Sequence, residues 1–390
     1  MNVLLVNTSE RTGGAAIAAS RLMHALNRHG VNARMIVRQK RGFPFYWERM
    51  VIWLHNRLSR RMLWYVDIAN AGTDITLLPA FREADVIHLH WVNQGFLSLE
   101  VIDRILHSGK RIVWTMHDQW PYTAICHHSR DCRRFQTRCH DCPQLCYPSK
   151  KDLSHKVFTR KLALMGNAHV TFVGCSQWIA GLAATSALLR GQRIVSIPNA
   201  VPADAFHPMD RLEARRRMHL PEHGHLVLFG SCKVSDRRKG ADYMIAACRR
   251  LSHARVTLVI VGSQGRWMLG ELPAMDVLVL DYISDEHQMA ALYSAADVYV
   301  TPSLMENLPN TIAEAMSVGT PCVGFHTGGI PEMIDHLENG YVARYCDVDD
   351  LARGIDYVLD HDLREAARQK AAASYSEDAV AKQYIRIYEE

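Results

Sequence analysis

Residues 301–325, TPSLMENLPNTIAEAMSVGTPCVGF, carry two glutamates, Glu306 and Glu314, on either side of a Pro-Asn turn. The flanking patterns predict a strand before the stretch and a helix after the turn, with Glu314 two turns inside the helix. The first amides of a helix lack intrahelical partners and attract anions. In an open α/β sheet, ligands bind beyond the carboxyl ends of the strands, where this stretch would lie. Alone, it fits either a ligand-binding crossover or a capped amphipathic helix.

The composition of the whole chain is that of a globular protein with two domains. The chain has 390 residues, of which 48% are hydrophobic and 22% charged. Its apolar runs are too short to cross a bilayer, and its first residues lack the basic region and apolar core of a signal peptide. We therefore expect a cytoplasmic protein whose 10 cysteines are reduced. The net charge of +5 permits anionic ligands or an anionic membrane surface.

Strand and helix patterns alternate along the chain in two series. The first series opens with a strand at 3–6, a loop with Gly13 and Gly14, and a helix at 15–28. Its later strands are predicted at 33–37, 85–90, 111–115 and 170–174, and those of the second series at 226–230, 256–262, 277–280, 298–302 and 321–324. Such alternation predicts two doubly wound, Rossmann-like α/β domains. We place these domains at 1–197 and 198–365, with a proline-rich hinge between them and a helical tail at 366–390.

A basic loop follows the first strand of the second series. The sequence SCKVSDRRKG at 231–240 places four cations before a predicted helix: Lys233, Arg237, Arg238 and Lys239. Such a loop can be a solvated surface, but phosphates bind at the loop after the first strand of a doubly wound half. The pattern therefore favours a diphosphate site, with the carboxylates of 301–325 placed to hold hydroxyl groups.

A cysteine-rich segment at 126–146 follows the strand predicted to end at residue 115. Its closely spaced thiols end in a C-x-x-C pair and make a candidate metal site: Cys126, Cys132, Cys139 and Cys142. In a reducing compartment this spacing suits a structural zinc ion, although it matches no standard zinc finger. Disulfides and unligated thiols are the alternatives. A catalytic zinc would favour His and carboxylate ligands with one open position.

The segment 43–65 has apolar residues at helical spacing between several arginines. The apolar positions are Trp47, Val51, Leu54, Leu58, Met62 and Tyr65. Aromatic residues and arginines on one amphipathic segment suit contact with an anionic membrane. A helix with its apolar side on the protein core and its arginines in solvent would have the same pattern.

Several motifs together resemble those of the retaining GT-B glycosyltransferases of family 4. They are Gly13-Gly14, His117-Asp118, IPNAV at 197–201, RRKG at 237–240, ADVYVTPS at 296–303, ENLPNTIAEAM at 306–316 and TGGIPEMI at 327–334. The two-glutamate stretch with the downstream GGIPE is the most specific. The segment 126–146 resembles the insert of a subgroup associated with bacterial surface polysaccharide synthesis. The resemblance implies a GT-B fold, in which two Rossmann-like domains face a cleft and the C-terminal helix crosses back to the first domain.

The resemblance also implies a role for each motif. Lys239, helped by Lys233 or Arg238, would bind the donor diphosphate, and Glu314 the ribose. Glu306 would lie at the donor sugar and the reacting centre, which His117 would reach from the first domain. The implied catalytic residues are thus His117, Glu306 and Lys239. The other implied donor-binding positions are Gly13, Gly14, Asn307, Leu308, Pro309, Asn310 and Thr311, with Tyr282 and Ile283 at the base.

The implied reaction moves a sugar from a nucleoside diphosphate to a glycan or lipid-linked acceptor at the inner membrane face, with retention of configuration. Enzymes of this type need no divalent metal, because fixed cations and helix amides stabilise the leaving diphosphate. The D-x-D at Asp347–Asp349 suits a helix N-cap better than a metal site. Two rival classes are a GT-B nucleotide-sugar epimerase and a zinc-bearing nucleic-acid-binding protein. The cations are scattered over both halves, which argues against a nucleic acid partner.

Overall fold

The computed structural model of the chain describes residues 1–38 and 40–390. The chain forms two compact units. Unit 1 contains residues 1–198 and 381–390, and unit 2 contains residues 199–380. Each unit is built on one six-stranded parallel sheet flanked by helices. The predicted class, α/β with two doubly wound sheets, is confirmed.

The sheet of unit 1 is organised around its first strand. The strands are β1 (Asn2–Asn7), β2 (Asn32–Val37), β3 (Val86–Leu89), β4 (Arg111–Met116), β5 (Val170–Gly174) and β6 (Arg193–Ser196). The helices are α1 (Gly14–Arg28), α2 (Phe43–His55), α3 (Pro79–Glu83), α4 (Leu99–Leu106), α5 (Leu153–Met165) and α6 (Gln177–Ala184). The strand order is β2-β1-β3-β4-β5-β6. Strand order reverses direction beside β1, so the β1 and β3 ends form the switch point of this sheet.

The sheet of unit 2 has its own switch point beside its first strand. The strands are β7 (His225–Lys233), β8 (Val256–Ser263), β9 (Asp276–Leu280), β10 (Val298–Thr301), β11 (Cys322–Phe325) and β12 (Gly340–Ala343). The helices are α7 (Arg211–Arg217), α8 (Ala241–Cys248), α9 (Glu286–Ala295), α10 (Asn310–Ser317), α11 (Ile330–Met333), α12 (Val348–Asp360) and α13 (Arg364–Tyr375). The order is β12-β11-β10-β7-β8-β9. Because β7 and β10 are parallel neighbours, the basic loop and the two-glutamate stretch begin at the same edge.

The central strands form because their residues are apolar on both faces. Leu4 is 2% exposed and Val6 is fully buried, and in unit 2 Leu228 is fully buried as well. A parallel sheet covered by helices on both sides requires such continuous apolar strands. The edge strands β6 and β12 were not predicted. Each has only 4 residues and is partly exposed, so it carries too short an apolar pattern to stand out.

The predicted helix over 43–65 is wrong beyond His55, where α2 ends. Arg57 and Leu58 take φ values of 47° and 66°, which a helix cannot accommodate. The alternative in which the apolar positions pack on the protein core is also wrong for α2, because Trp47 and Leu54 are exposed. Its buried residues are Phe45, Glu48, Arg49 and Ile52. Two of these are charged, and an apolar pattern assigns charged residues to the solvent side.

The tail is divided differently from the predicted single segment at 366–390. Helix α13 lies in unit 2, and α14 (Glu377–Glu389) follows it, with residues 381–390 belonging to unit 1. In unit 1 the Tyr384 hydroxyl lies 2.9 Å from Thr115 Oγ1, and the Tyr388 hydroxyl lies 2.7 Å from His88 Nδ1. These buried polar contacts fix the last helical turns to the sheet of unit 1.

Candidate functional site

The basic loop of unit 2 lies between β7 and α8. Its residues Arg237–Lys239 form a 3₁₀ turn, and Asp236 caps this turn by accepting from the Arg238 amide at 3.0 Å. Gly240 then takes φ 75°, and a Cβ at this position would lie 1.8 Å from the Pro302 carbonyl oxygen. Glycine is required here because the loop packs directly against the segment that follows β10.

Lys239 forms an ion pair with Glu306, the first glutamate of the two-glutamate stretch. The Lys239 side chain is 35% exposed and that of Glu306 is 14% exposed. Burial opposes the charge of Lys239, but the neighbouring Glu306 carboxylate outweighs it and raises the lysine pKa. The structure therefore brings two of the predicted catalytic residues to one point.

The two candidate partners of Lys239 have different surroundings. Arg238 is in an ion pair with Asp236, whose Oδ2 accepts from the guanidinium at 2.6 Å. Lys233 is exposed at the end of β7. Among the residues that the structure describes, none forms an ion pair with it. An incoming phosphate can therefore engage Lys233 without breaking an existing ion pair, whereas Arg238 would first have to leave Asp236.

The loop that carries Glu306 is held by the glycine pair after β11. Gly328 has φ 58°, and a Cβ there would lie 1.7 Å from the Glu306 carbonyl oxygen. The Gly329 amide donates to the Asn307 carbonyl at 2.7 Å. These contacts give the TGGIPE motif a physical role, because they fix the backbone that presents the Glu306 side chain.

Helix α10 begins at Asn310, because Pro309 has an extended backbone and serves as the N-cap. Glu314 therefore lies one turn inside the helix, and the predicted depth of two turns is wrong. The Glu314 side chain is 8% exposed, and its Oε2 accepts from the Tyr293 hydroxyl at 3.2 Å. A buried carboxylate at this depth can accept from ligand hydroxyl groups near the helix start.

The remaining predicted donor positions of unit 2 lie at the same sheet edge. Tyr282 and Ile283 follow β9, and the Tyr282 side chain is 52% exposed. Burial raises the Tyr282 pKa, with smaller contributions from Cys232 and Glu314, so its phenol lies near both groups. Leu308 is 8% exposed beside Glu306, and the predicted set of unit 2 is thus spread over the loops after β7, β9 and β10.

In unit 1, the loops after β1, β3 and β4 carry Gly13-Gly14, His90 and His117 at one sheet edge. Gly13 has φ 92°, and its carbonyl accepts two amides of α1 at 3.1 Å. His117 Nε2 lies 2.9 Å from His90 Nδ1, and its Nδ1 lies 3.4 Å from Cys175 Sγ. Burial lowers the pKa of His117 to about 4, so the ring is neutral at physiological pH.

Asp118 belongs to a buried network that sequence reasoning missed. Its Oδ2 accepts from Trp91 Nε1 at 2.7 Å and lies 2.6 Å from His127 Nδ1. His127 Nε2 lies 2.6 Å from Asp67 Oδ2. Burial opposes a charge on His127, but the two carboxylates raise its pKa to about 10, so it is an imidazolium. No sequence pattern links residues as far apart as Asp67, Asp118 and His127. The contacts of this network hold the loop that follows β4 in place.

The four predicted zinc ligands line one cavity in unit 1, together with Phe135 and Gln144. All ten cysteines are free, so the disulfide alternative is not formed. As the side chains stand, no three His, Cys, Asp or Glu residues in the described part of the chain are grouped closely enough to hold a metal ion.

An exposed aromatic surface covers α2 and the turns after it. Phe43 is 73% exposed, Tyr46 62%, Leu54 53% and Trp64 57%. The arginines of this surface are exposed as well, at positions 57, 60 and 61. Across residues 1–38 and 40–390 no helix combines the length and apolarity needed to span a membrane.

Unit 2 thus places cations and carboxylates at the switch point of a doubly wound sheet, where ligands of such folds bind. Two family models match the chain. One described as Glycosyltransferase Family 4 matches residues 12–205, and one described as Glycosyl transferases group 1 matches residues 215–374. The chain therefore consists of a family 4-like glycosyltransferase domain followed by a group 1 glycosyltransferase domain.

Curated relatives match parts of the chain. An uncharacterised glycosyltransferase of Methanocaldococcus jannaschii is 31% identical over 191 residues, which cover 46% of this chain and 48% of the relative. A putative colanic acid biosynthesis glycosyltransferase of Salmonella typhimurium is 30% identical over 170 residues, which cover 38% of this chain and 42% of the relative. A D-inositol 3-phosphate glycosyltransferase of Stackebrandtia nassauensis is 29% identical over 197 residues, which cover 46% of this chain and 44% of the relative. The chain thus spans less than half the length of these relatives.

Solved structures match the fold over nearly the whole chain. Sucrose-phosphate synthase from Thermosynechococcus elongatus has a TM-score of 0.67 at 19% identity, covering 99% of this chain and 98% of that one. Anabaena HepE in complex with UDP and glucose has a TM-score of 0.64 at 16% identity, with coverage of 99% and 98%. The fold is therefore that of the GT-B glycosyltransferases.

Proposed function

We propose that the protein is a glycosyltransferase that moves a sugar from a nucleoside diphosphate to a hydroxyl group of a glycan or lipid-linked acceptor. The observation that carries the proposal is the Lys239–Glu306 ion pair at the β7–β10 switch point of the group 1 domain. A cation for the diphosphate and a carboxylate for the sugar are the two groups that a nucleotide sugar needs side by side.

The leaving diphosphate would be held by Lys239 and Lys233, with the N-terminal amides of α10 adding partial positive charge. Lys239 enters this role protonated, because its pKa is raised by the Glu306 carboxylate. Phosphate oxygens would replace Glu306 as its partner and release the carboxylate toward the sugar. Arg238 is the weaker candidate because Asp236 already holds it.

The nucleoside would extend from the diphosphate along the same sheet edge. Glu314 would accept from the ribose hydroxyls, and the exposed Tyr282 with Ile283 would lie at the base. The Anabaena structural neighbour was solved with UDP and glucose, which supports a uridine nucleotide as the first donor to test.

The transfer breaks the bond between the sugar anomeric carbon and the diphosphate oxygen, and it forms a bond from that carbon to the acceptor oxygen. Negative charge that develops on the diphosphate is stabilised by the cations of unit 2. The acceptor proton passes to the departing phosphate, and attack on the same face gives retention. His117 is proposed to contact the donor sugar as a neutral ring, in keeping with its pKa of about 4.

We propose an anionic membrane surface as the partner of the exposed aromatic surface. Phe43, Tyr46, Leu54 and Trp64 would enter the headgroup region while the arginines at 57, 60 and 61 pair with lipid phosphates. A lipid-linked acceptor would then be presented at the cytoplasmic membrane face. The Salmonella relative's name and the cysteine-rich segment support a role in bacterial surface polysaccharide synthesis.

The experiment is a thermal-shift screen of UDP-, GDP-, ADP- and dTDP-sugars, followed by turnover of the stabilising donor with extracted lipid-linked glycan. Glu306→Gln, Lys239→Ala and His117→Ala are expected to lose turnover. The matched control is Arg249→Ala, which removes a surface cation at the far end of α8. Unchanged turnover in all three variants would refute the site, and donor epimerisation without acceptor would assign an epimerase instead.

A further inference from the structure

The four thiols of the cysteine-rich segment share one cavity of unit 1. Cys126 and Cys139 are each 9% exposed, Cys142 is 8% exposed and Cys132 is partly buried. The cavity measures about 20 Å³, which is room for a single small particle the size of a water molecule. Four thiols line this cavity, and four is the ligand number of a structural zinc site.

The segment that carries these thiols has little regular structure to hold it. Between β4 and α5, the described elements are two 3₁₀ turns, Trp120–Tyr122 and Arg134–Gln136. Side chains such as Trp120 and Phe135 anchor the segment in the core of unit 1, and a metal or a disulfide would add a second constraint on its irregular backbone. All ten cysteines are free, so no disulfide supplies that constraint here.

A buried lysine contacts the backbone that lines the cavity. Lys161 is 2% exposed, and its Nζ donates to the carbonyls of Trp120 at 2.6 Å and Thr123 at 3.0 Å. Burial lowers the pKa of Lys161 well below its usual value, and the negative groups that oppose this shift are Cys126, Asp118, Cys139 and Asp67. Thiolates at Cys126 and Cys139 would therefore add to the two carboxylates in favouring the charged form of the lysine.

We propose that Cys126, Cys132, Cys139 and Cys142 bind one Zn²⁺ as a structural tetrathiolate site, with Lys161 as its counter-ion. Four thiolates around Zn²⁺ carry a net charge of 2−, which favours the charged form of Lys161. Closed coordination by four sulfurs is typical of structural zinc and leaves no position for catalysis. The thiols are not grouped around one centre as they stand, so binding includes rotation of their side chains into the cavity.

Binding releases the four thiol protons to solvent as the thiolates form.

The site would also position the network of Asp118. Cys126 pairs with Val66 in an antiparallel bridge, and its carbonyl accepts from Thr123 Oγ1 at 2.6 Å. The next residue is His127, which links Asp118 to Asp67. A metal bound through Cys126 thus holds the start of the loop that carries His127, so its removal should loosen this part of unit 1.

The test is metal analysis of the full chain, purified with reductant and without chelator, together with X-ray absorption at the zinc edge, which gives the number and distance of the sulfur ligands. We expect one zinc per chain, surrounded by four sulfurs at about 2.3 Å. The double variant Cys139→Ser/Cys142→Ser should lose the zinc. The control Cys232→Ser, at an exposed cysteine outside the segment, should keep it.

Because the double variant can fail to fold, titration of the wild-type protein with a mercurial provides a second measurement. Zinc should be released as the four thiols of the segment react, after the exposed Cys232 has reacted, and the melting temperature should then fall. The proposal is overturned by protein that has no zinc and ten reactive thiols, by disulfides within the segment, or by iron with inorganic sulfide in place of zinc. None of these results depends on sugar transfer.

Discussion

Lys239, in the loop after β7, forms an ion pair with Glu306, in the loop after β10. The two strands are parallel neighbours, so their carboxyl ends meet at the switch point where ligands of this fold bind. In the unliganded protein each residue satisfies the other's charge. In the proposed function, the donor would separate them, with the phosphate binding the lysine and the sugar binding the carboxylate.

This pairing predicts separate effects on binding and catalysis for Glu306→Gln. We expect kcat to fall about 100-fold, because a group that acts at the reacting centre is lost. The donor KM should be unchanged or lower, because Lys239 no longer has to leave an ion pair. Steady-state kinetics with the selected donor measure both constants. A raised KM with normal kcat would assign Glu306 to uniform binding instead.

Glu314 is expected to recognise the ribose, because its buried carboxylate lies one turn inside α10. The wild type should bind UDP about 10-fold more tightly than 2′,3′-dideoxy-UDP, as the loss of a charge-assisted hydrogen bond predicts. Glu314→Gln should bind the two nucleotides alike, and the exposed Glu338→Gln should behave as the wild type. If Glu314→Gln still bound UDP more tightly than 2′,3′-dideoxy-UDP, another group would have to bind the ribose hydroxyls.

The histidines of unit 1 predict a loss of stability in mild acid. Burial lowers the pKa of His88 to about 3 and that of His117 to about 4, while His90, between them, is lowered by burial and by both neighbours. Below their usual value of 6.5 the unfolded chain binds protons that the folded chain cannot. The stability contribution is therefore complete above pH 6.5 and is lost as the pH falls toward 4.

Thermal unfolding at pH 7 and pH 5 tests whether the protein loses stability as the pH falls. The groups near His117 include His90, Cys175, His88 and Asp118, and of these Asp118 favours its charged form. We expect the melting temperature of the wild type to fall by more than about 5 °C. In His117→Gln the melting temperature should fall less than in the wild type. In His24→Gln, at an exposed histidine, it should fall as much as in the wild type. Equal falls in all three proteins would place the acid sensitivity elsewhere.

The exposed aromatic surface predicts binding to vesicles that contain anionic lipid. Trp47 is 39% exposed and Leu54 is 53% exposed, so Trp47→Ser/Leu54→Ser should weaken cosedimentation with phosphatidylglycerol vesicles without unfolding the protein. Binding by the wild type should also fall with added salt, because the arginines contribute. The control Trp267→Ser/Leu269→Ser removes equally exposed residues of unit 2 and should have no effect. Equal binding by the two variants would contradict this docking surface.

Much of the fold could be predicted because its signals are local. The central strands are short apolar runs, and the basic loop and the two-glutamate stretch directly follow two of them. The strand-end rule then places both at one sheet edge, where Lys239 and Glu306 do meet.

What could not be predicted depends on contacts between distant residues. Glu48 is fully buried because its Oε1 accepts the amides of Ile68 and Ala69 at 2.7 Å, and Arg49 forms an ion pair with Asp67. A pattern based on hydrophobicity assigns both charges to solvent, so the core-facing alternative placed the wrong side of α2 against the protein. The His127 bridge between Asp67 and Asp118 could not be predicted for the same reason, because it joins residues that are far apart in the sequence.

The most direct test of the proposed donor site is calorimetric binding of the nucleoside diphosphate that the wild type prefers among UDP, GDP, ADP and dTDP. Lys239→Ala should bind it about 10- to 100-fold more weakly, since a hydrogen bond to a charged group contributes about 1.5–3 kcal/mol. Arg249→Ala should bind it as the wild type does. Wild-type affinity in Lys239→Ala would contradict the assignment of the diphosphate to the β7–β10 switch point.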